Sequence, residues 1–144
     1  AFVLTTLGCS WEALVERGLY LVHAVKCAIT PEDRHQNPPD HVTDACASHH
    51  FVQEILLIKP SAVVVFGKAP FRALMSVPGV RSSMPRGLGL SCSVAYLVEK
   101  TNGGVQISAN DWHFQLFGSR FPLVARREAS QILQKAARYA GIVQ

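Results

Sequence analysis

The five residues Ala62–Phe66, "AVVVF", limit what this chain can fold into more than any other stretch. β-Branched side chains stack well on a pleated surface and lose rotamer freedom in a helix. An apolar run without polar alternation reads as a strand covered on both faces. Pro60 closes whatever precedes the run, and Gly67 permits a tight turn into "KAPFRALM", a helix reaching about Met75. A buried strand that turns straight into a helix asks for a parallel sheet between helical layers.

The flanking sequence extends that pattern. Ser10 is placed to cap a short helix through Glu16, with Gly18 as its stop. Leu19–Val25 is a second near-continuous apolar run and is expected to form a second buried strand, near the sheet centre with Ala62–Phe66. A polar loop through Asn37-Pro38-Pro39 leads into a helix from about Asp40, ended by Lys59-Pro60. Leu90–Val98 and Val105–Ala109 read as strands around the turn Thr101-Asn102-Gly103-Gly104. Arg126–Ala140 closes the chain as an amphipathic helix with Ala129, Ile132, Leu133 and Ala136 on its apolar side. The expected fold is a three-layer α/β/α domain with a mainly parallel central sheet. Such a domain binds its ligand at the carboxyl ends of the parallel strands. On this reading those ends are 23–27, 67–70 and 110–113.

Of the 144 residues, 49% are hydrophobic and 17% charged, which describes one folded domain and excludes a disordered chain. Apolar runs are too short to span a membrane, and the start lacks the layout of a secretory signal, so an intracellular, non-membrane protein is expected. The net charge of +4 permits binding to a polyanion without requiring it. Four cysteines are too few for a disulfide scaffold. Cys9 and Cys92 sit among apolar or small neighbours and read as buried thiols. Cys27 and Cys46 frame the polar loop, and the residues alone leave open a metal or cluster site, a disulfide, or two buried thiols. Zinc would draw on His49 or His50 beside Cys46, and on His35 or His41. The grouping Ser108, Asp111 and His113 is too common by chance to imply a hydrolase triad, and "GLGL" lacks the glycine pattern of a dinucleotide loop.

"AVKC", the proline-bearing loop, Cys46 on the next helix and "LLIKPSAVVVFGKAPFRALM" together resemble the iron–sulfur (family 4-like) uracil-DNA glycosylases. The resemblance spans roughly Leu14 to Met75, with a weaker echo in the last helix. It implies a uracil-DNA glycosylase-like domain acting on DNA in base-excision repair. It also implies Cys27 and Cys46 as two of four thiolate ligands to a [4Fe–4S] cluster. The family's remaining ligand pair and its glycine-rich first motif have no counterpart here, so the domain is expected to lack its N-terminal portion, which other domains or chains would supply. The alternatives are a lost cluster, zinc, or no metal.

The same resemblance suggests site roles. His23 stands where the family has an Asn that reads the uracil edge, and an imidazole offers a different donor and acceptor geometry. In "ANDWHFQL", His113 is the candidate to stabilise the departing base anion. Phe114 or Leu116 would wedge into the gap left by a flipped base. Lys26, Arg120, Arg126 and Arg127 would contact phosphate, and Asp111 is a weak candidate to position water. A catalytically silent homologue that binds nucleic acid or acts as a structural module is the alternative.

Overall fold

The computed structural model describes residues 2–23, 39–85, 87–88 and 94–144. Two short helices open the chain, α1 (Phe2–Leu7) and α2 (Trp11–Glu16). Ser10 caps α2 as expected, its hydroxyl accepting from the Ala13 amide at 3.2 Å. Leu14 is fully buried and packs α2 against Ala137 and Ile142 near the far end of the chain.

The second buried strand expected at Leu19–Val25 is not found in its described part. Residues 19–23 carry no regular secondary structure, and Leu21 is 61% exposed. Local hydrogen bonds and polar groups account for the difference. The Leu19 amide closes helix α2 by donating to the Leu14 carbonyl, so it is not available to a strand ladder. Tyr20 donates its hydroxyl to Glu54, and His23 is exposed. Val22 alone among these residues packs on the main core. Residues 24 and 25 lie outside the described residues.

Helix α3 (Asp40–Cys46), a π-helical turn (Ala47–Phe51) and α4 (Val52–Ile58) follow without a break. Thr43, Cys46, Ala47, Phe51 and Ile55 form the buried stripe. The end falls where the sequence places it. Lys59 takes a left-handed conformation, its amide donates to Ile55, and Pro60 cannot continue the helix.

Ala62–Phe66 is strand β1. It leads through Gly67, at φ +91°, into α5 (Lys68–Met75) and the short α6 (Val80–Ser83). That φ lies in a region open to glycine and strained for other residues. The expected strand at Leu90–Val98 is instead helix α7 (Val94–Thr101) in its described part, residues 90–93 lying outside it. Val94, Tyr96 and Val98 alternate like a strand, but Leu97 and Thr101, four apart, are the buried pair. The chain then forms β2 (Val105–Ala109) and β3 (Trp112–Ser119), a hairpin turning at Asn110-Asp111. β3 was not expected; His113 and Gln115 give it the look of a loop.

The sheet order is β1-β3-β2. β3 pairs parallel with β1, from Ala62↔Gln115 to Phe66↔Ser119, and antiparallel with β2. The described sheet is therefore mixed, with β3 at its centre and β1 at the edge of the described strands, whereas Ala62–Phe66 was expected near the sheet centre. Side chains alternate across it. Val65, Phe114, Leu116 and Ile107 share one face with Phe71, Leu74, Val80 and Leu97 of the helices. Ala62, Val64 and Phe117 meet Ile132 and Ala136 of α8 (Arg126–Tyr139) on the other. The result is a three-layer α/β/α domain. The stripe expected on α8 is the one observed, and burying Ile132 and Leu133 favours folding by about 1.5–3 kcal/mol each. No described helix is long and apolar enough to cross a membrane.

α7 lies on β3 at Gly118, where an added Cβ would come within 2.5 Å of Leu97 Cγ. Gly118→Ala should therefore destabilise the domain by about 1–3 kcal/mol, read as a lower urea midpoint. Leu97→Ala should cost less in the Gly118→Ala background than on its own, because it relieves that overlap. An unchanged midpoint for Gly118→Ala would contradict this packing.

Candidate functional site

Because β1 and β3 are parallel, their carboxyl ends lie side by side at Phe66 and Ser119. The Gly67 amide donates to the Ser119 carbonyl at 2.8 Å and ties the two exits together. Phe66 meets the Phe2 ring edge-on at 5.8 Å between centroids, and the Arg126 guanidinium lies 5.5 Å from that same ring. Three parts of the chain distant in sequence thus meet where a domain of this architecture binds ligands.

The segment leaving β3 runs from Arg120 to Ala125. The Val124 and Ala125 amides both donate to the Phe121 carbonyl, folding the segment into a compact turn. That turn exposes its apolar residues: Leu123 is 89% exposed and Val124 78%, with Phe121 half-exposed. Arg120 stands before it, and Arg126 and Arg127 begin α8 immediately after. An open groove of about 770 Å³ runs past these three arginines, with Glu99 and Asn102 of the neighbouring helix and turn also lining it.

Glu128 organises the base of this groove. Its carboxylate accepts from the Arg120 backbone amide at 3.1 Å and from Nε and Nη2 of the same residue at 3.1 and 3.2 Å. The paired guanidinium, aided by the backbone amide, holds the Glu128 carboxyl below its usual range despite partial burial. The Arg120 guanidinium is held more strongly protonated in return. On the other side of Gly67, Lys68 meets Asp40 at 3.4 Å and Arg72 pairs bidentately with Asp44 at 2.8 Å. These pairs hold the start of α3 against α5.

The structure brings Arg120, Arg126 and Arg127 together and sets His113 apart from them. His113 lies near the amino end of β3, beyond the first residue pair with β1, on the solvent face of the hairpin. Its Nδ1 is 2.9 Å from Ser108 Oγ. Asp111 pairs with Lys59 at 2.9 Å, and the Lys59 ammonium holds its carboxyl below the usual range. Because the Asp111 carboxylate is bound to Lys59 and the imidazole Nδ1 to Ser108, the three residues are not arranged as a triad. The strand end expected at 110–113 is a hairpin turn at Asn110-Asp111 followed by the first residues of β3.

Phe114 and Leu116 cannot wedge into a duplex. Phe114 is 1% exposed and stacks on Trp112 at 4.1 Å, and Leu116 is fully buried. The burial follows from the strand period, which turns both side chains toward the core. His23 is exposed and makes no hydrogen bond or ion pair with another described residue. Lys26, Cys27, His35 and Cys92 lie outside the described residues. Cys46 is buried in the helix stripe. Cys9 is half-buried in a different cluster, where Arg17 donates to its sulfur at 3.4 Å. Among the described residues no three His, Cys, Asp or Glu side chains converge as a metal site, and His49 and His50 point outward. The described donors do not make up a four-thiolate set.

Sequence reasoning missed Phe2, Phe121, Leu123 and Glu128. A signal was present in "RFPLVARRE", an apolar run between arginines directly ahead of a helix.

No curated protein and no solved structure matches the chain. The family model of the uracil DNA glycosylase superfamily matches residues 3–135, a span that takes in α1, the whole described sheet and the arginine-lined groove. The chain belongs to the uracil DNA glycosylase superfamily.

Proposed function

We propose that this protein binds DNA across the carboxyl ends of β1 and β3 and hydrolyses the base–sugar bond of a flipped uracil or a related damaged base. The observation that carries the proposal is the exit of β3, where an exposed apolar turn is bracketed by Arg120, Arg126 and Arg127. Arginines suit phosphate oxygens through bidentate, charge-assisted hydrogen bonds. An apolar tip between them can enter the stack and hold open the space a flipped base leaves. Leu123 takes that part in this reading, in place of Phe114 and Leu116. Phe2, Phe66 and Phe121 offer ring faces and edges beside the strand ends for contact with a base. His23 remains the candidate for the base edge, with one donor and one acceptor when neutral.

A second reading has a specific observation in its favour. The groove lining contains no histidine among the described residues, and its Glu128 is committed to Arg120. A catalytically silent homologue that binds nucleic acid fits that lining equally well. His113 lies at the opposite end of β3 and has no part in either reading.

The cofactor proposal is separate. Cys27 and Cys46 as ligands of a [4Fe–4S] cluster rest on the resemblance, with zinc or no metal as rivals. Iron, sulfide and zinc content of purified protein decides among them. Stoichiometric iron and sulfide, lost in Cys46→Ser, is the expected result; zinc alone, or no metal, would end the cluster proposal.

Activity is tested on uracil-containing single- and double-stranded oligonucleotides, with alkaline cleavage of abasic sites as the readout. Cleavage is expected on both. Leu123→Ala should lower kcat/KM by about tenfold on duplex DNA and by much less on single strands, where nothing has to be unstacked. Absence of cleavage at stoichiometric protein, with DNA binding retained, would favour the silent homologue.

A further inference from the structure

Arg120 differs from its two neighbours in the groove. Arg127 has no described ion-pair partner, and Arg126 lies over an aromatic ring. Arg120 is held on three sides of one carboxylate, through its backbone amide, Nε and Nη2. A guanidinium has five N–H donors, and this arrangement uses Nε–H and one on Nη2. Both Nη1 donors and the second Nη2 donor have no partner among the described residues and lie on the edge turned away from Glu128. The guanidinium is planar, so fixing one edge fixes the direction of the rest. The same carboxylate oxygen lies 3.3 Å from the hydroxyl of fully buried Ser119, so the anchor extends into the end of β3.

We propose that Glu128 is a positioning residue for DNA binding: it fixes the Arg120 guanidinium at the exit of β3 so that its free edge meets one backbone phosphate. The inference rests on the reading of the groove as a DNA surface and deepens it. It runs against simple charge counting. Removing a carboxylate from a phosphate-binding groove adds positive charge and should tighten binding if Glu128 merely competes for Arg120. If Glu128 positions Arg120, removing the carboxylate should weaken binding even though the groove becomes more positive.

The experiment is fluorescence anisotropy of the full chain on an oligonucleotide without uracil, over a salt series. The variants are Glu128→Gln, Arg120→Ala and the double variant. Glu128→Gln keeps the shape of the side chain and loses its charge. It should weaken binding about tenfold, the scale of one charge-assisted contact, and lower the salt slope by about 0.7–0.9. Arg120→Ala should do the same. The double variant should be no weaker than Arg120→Ala alone, because an anchor without its guanidinium has nothing left to orient. A purely structural role for Glu128 would instead add its loss to that of Arg120→Ala, and melting curves of each variant report whether the fold is intact. Tighter or unchanged binding in Glu128→Gln, or additive losses in the double variant, would overturn the inference while leaving the DNA-binding reading in place. Failure of the unaltered chain to bind DNA would overturn both.

Discussion

The pairing of β3 with two partners at once is the constraint on which the rest of the structure depends. Along one edge it exchanges parallel hydrogen bonds with β1, and along the other antiparallel bonds with β2. Its side chains alternate strictly, so Phe114 and Leu116 enter the larger core while Phe117 meets α8. Gly118, with no Cβ of its own, then leaves room for the Leu97 side chain of α7 to sit directly on the sheet. Sliding β3 by one residue would send every one of these side chains to the wrong face.

The same strand divides the molecule's polar chemistry between its two ends. Near its start, His113 and Ser108 pair across the hairpin on a face α8 leaves open, and Asp111 is neutralised by Lys59. This is a solvated cross-strand pair with a surface ion pair beside it, features of small energetic weight. At its finish, the parallel register sets Phe66 and Gly67 beside Ser119, Arg120 follows directly, and α8 adds Arg126, Arg127 and Glu128. Among the described residues, only this second end of β3 combines positive charge, exposed apolar residues and a groove. The topology, more than any single residue, locates the candidate surface.

Much of the scaffold was legible in the sequence, because it rests on local rules. The Ser10 cap, the Lys59-Pro60 stop, the "AVVVF" strand with its glycine turn and the apolar side of the last helix each follow from residue chemistry within a few positions. What failed was decided by distant partners. Leu19–Val25 and Ala62–Phe66 look equally apolar, yet the first is exposed over much of its described part and the second is an edge strand of the described sheet. "VAYLVEKT" alternates like a strand, but Leu97 has to fit over Gly118 and does so from a helix. Placing β3 correctly is what moved the candidate site. Once Trp112–Ser119 is a strand, His113 and Phe114 leave the expected loop, and the loop becomes Arg120–Ala125. Arg120, Arg126 and Arg127 were nameable from sequence as phosphate contacts; their meeting in one groove was not, because the parallel register creates it.

The most direct measurement is amide hydrogen exchange of the full chain with and without a uracil-containing oligonucleotide. The account predicts added protection at residues 67–70 and 119–128, around the carboxyl ends of β1 and β3, and unchanged exchange at 108–113. Protection centred on 108–113, with 119–128 unaffected, would contradict it and return the site to the hairpin end of the sheet.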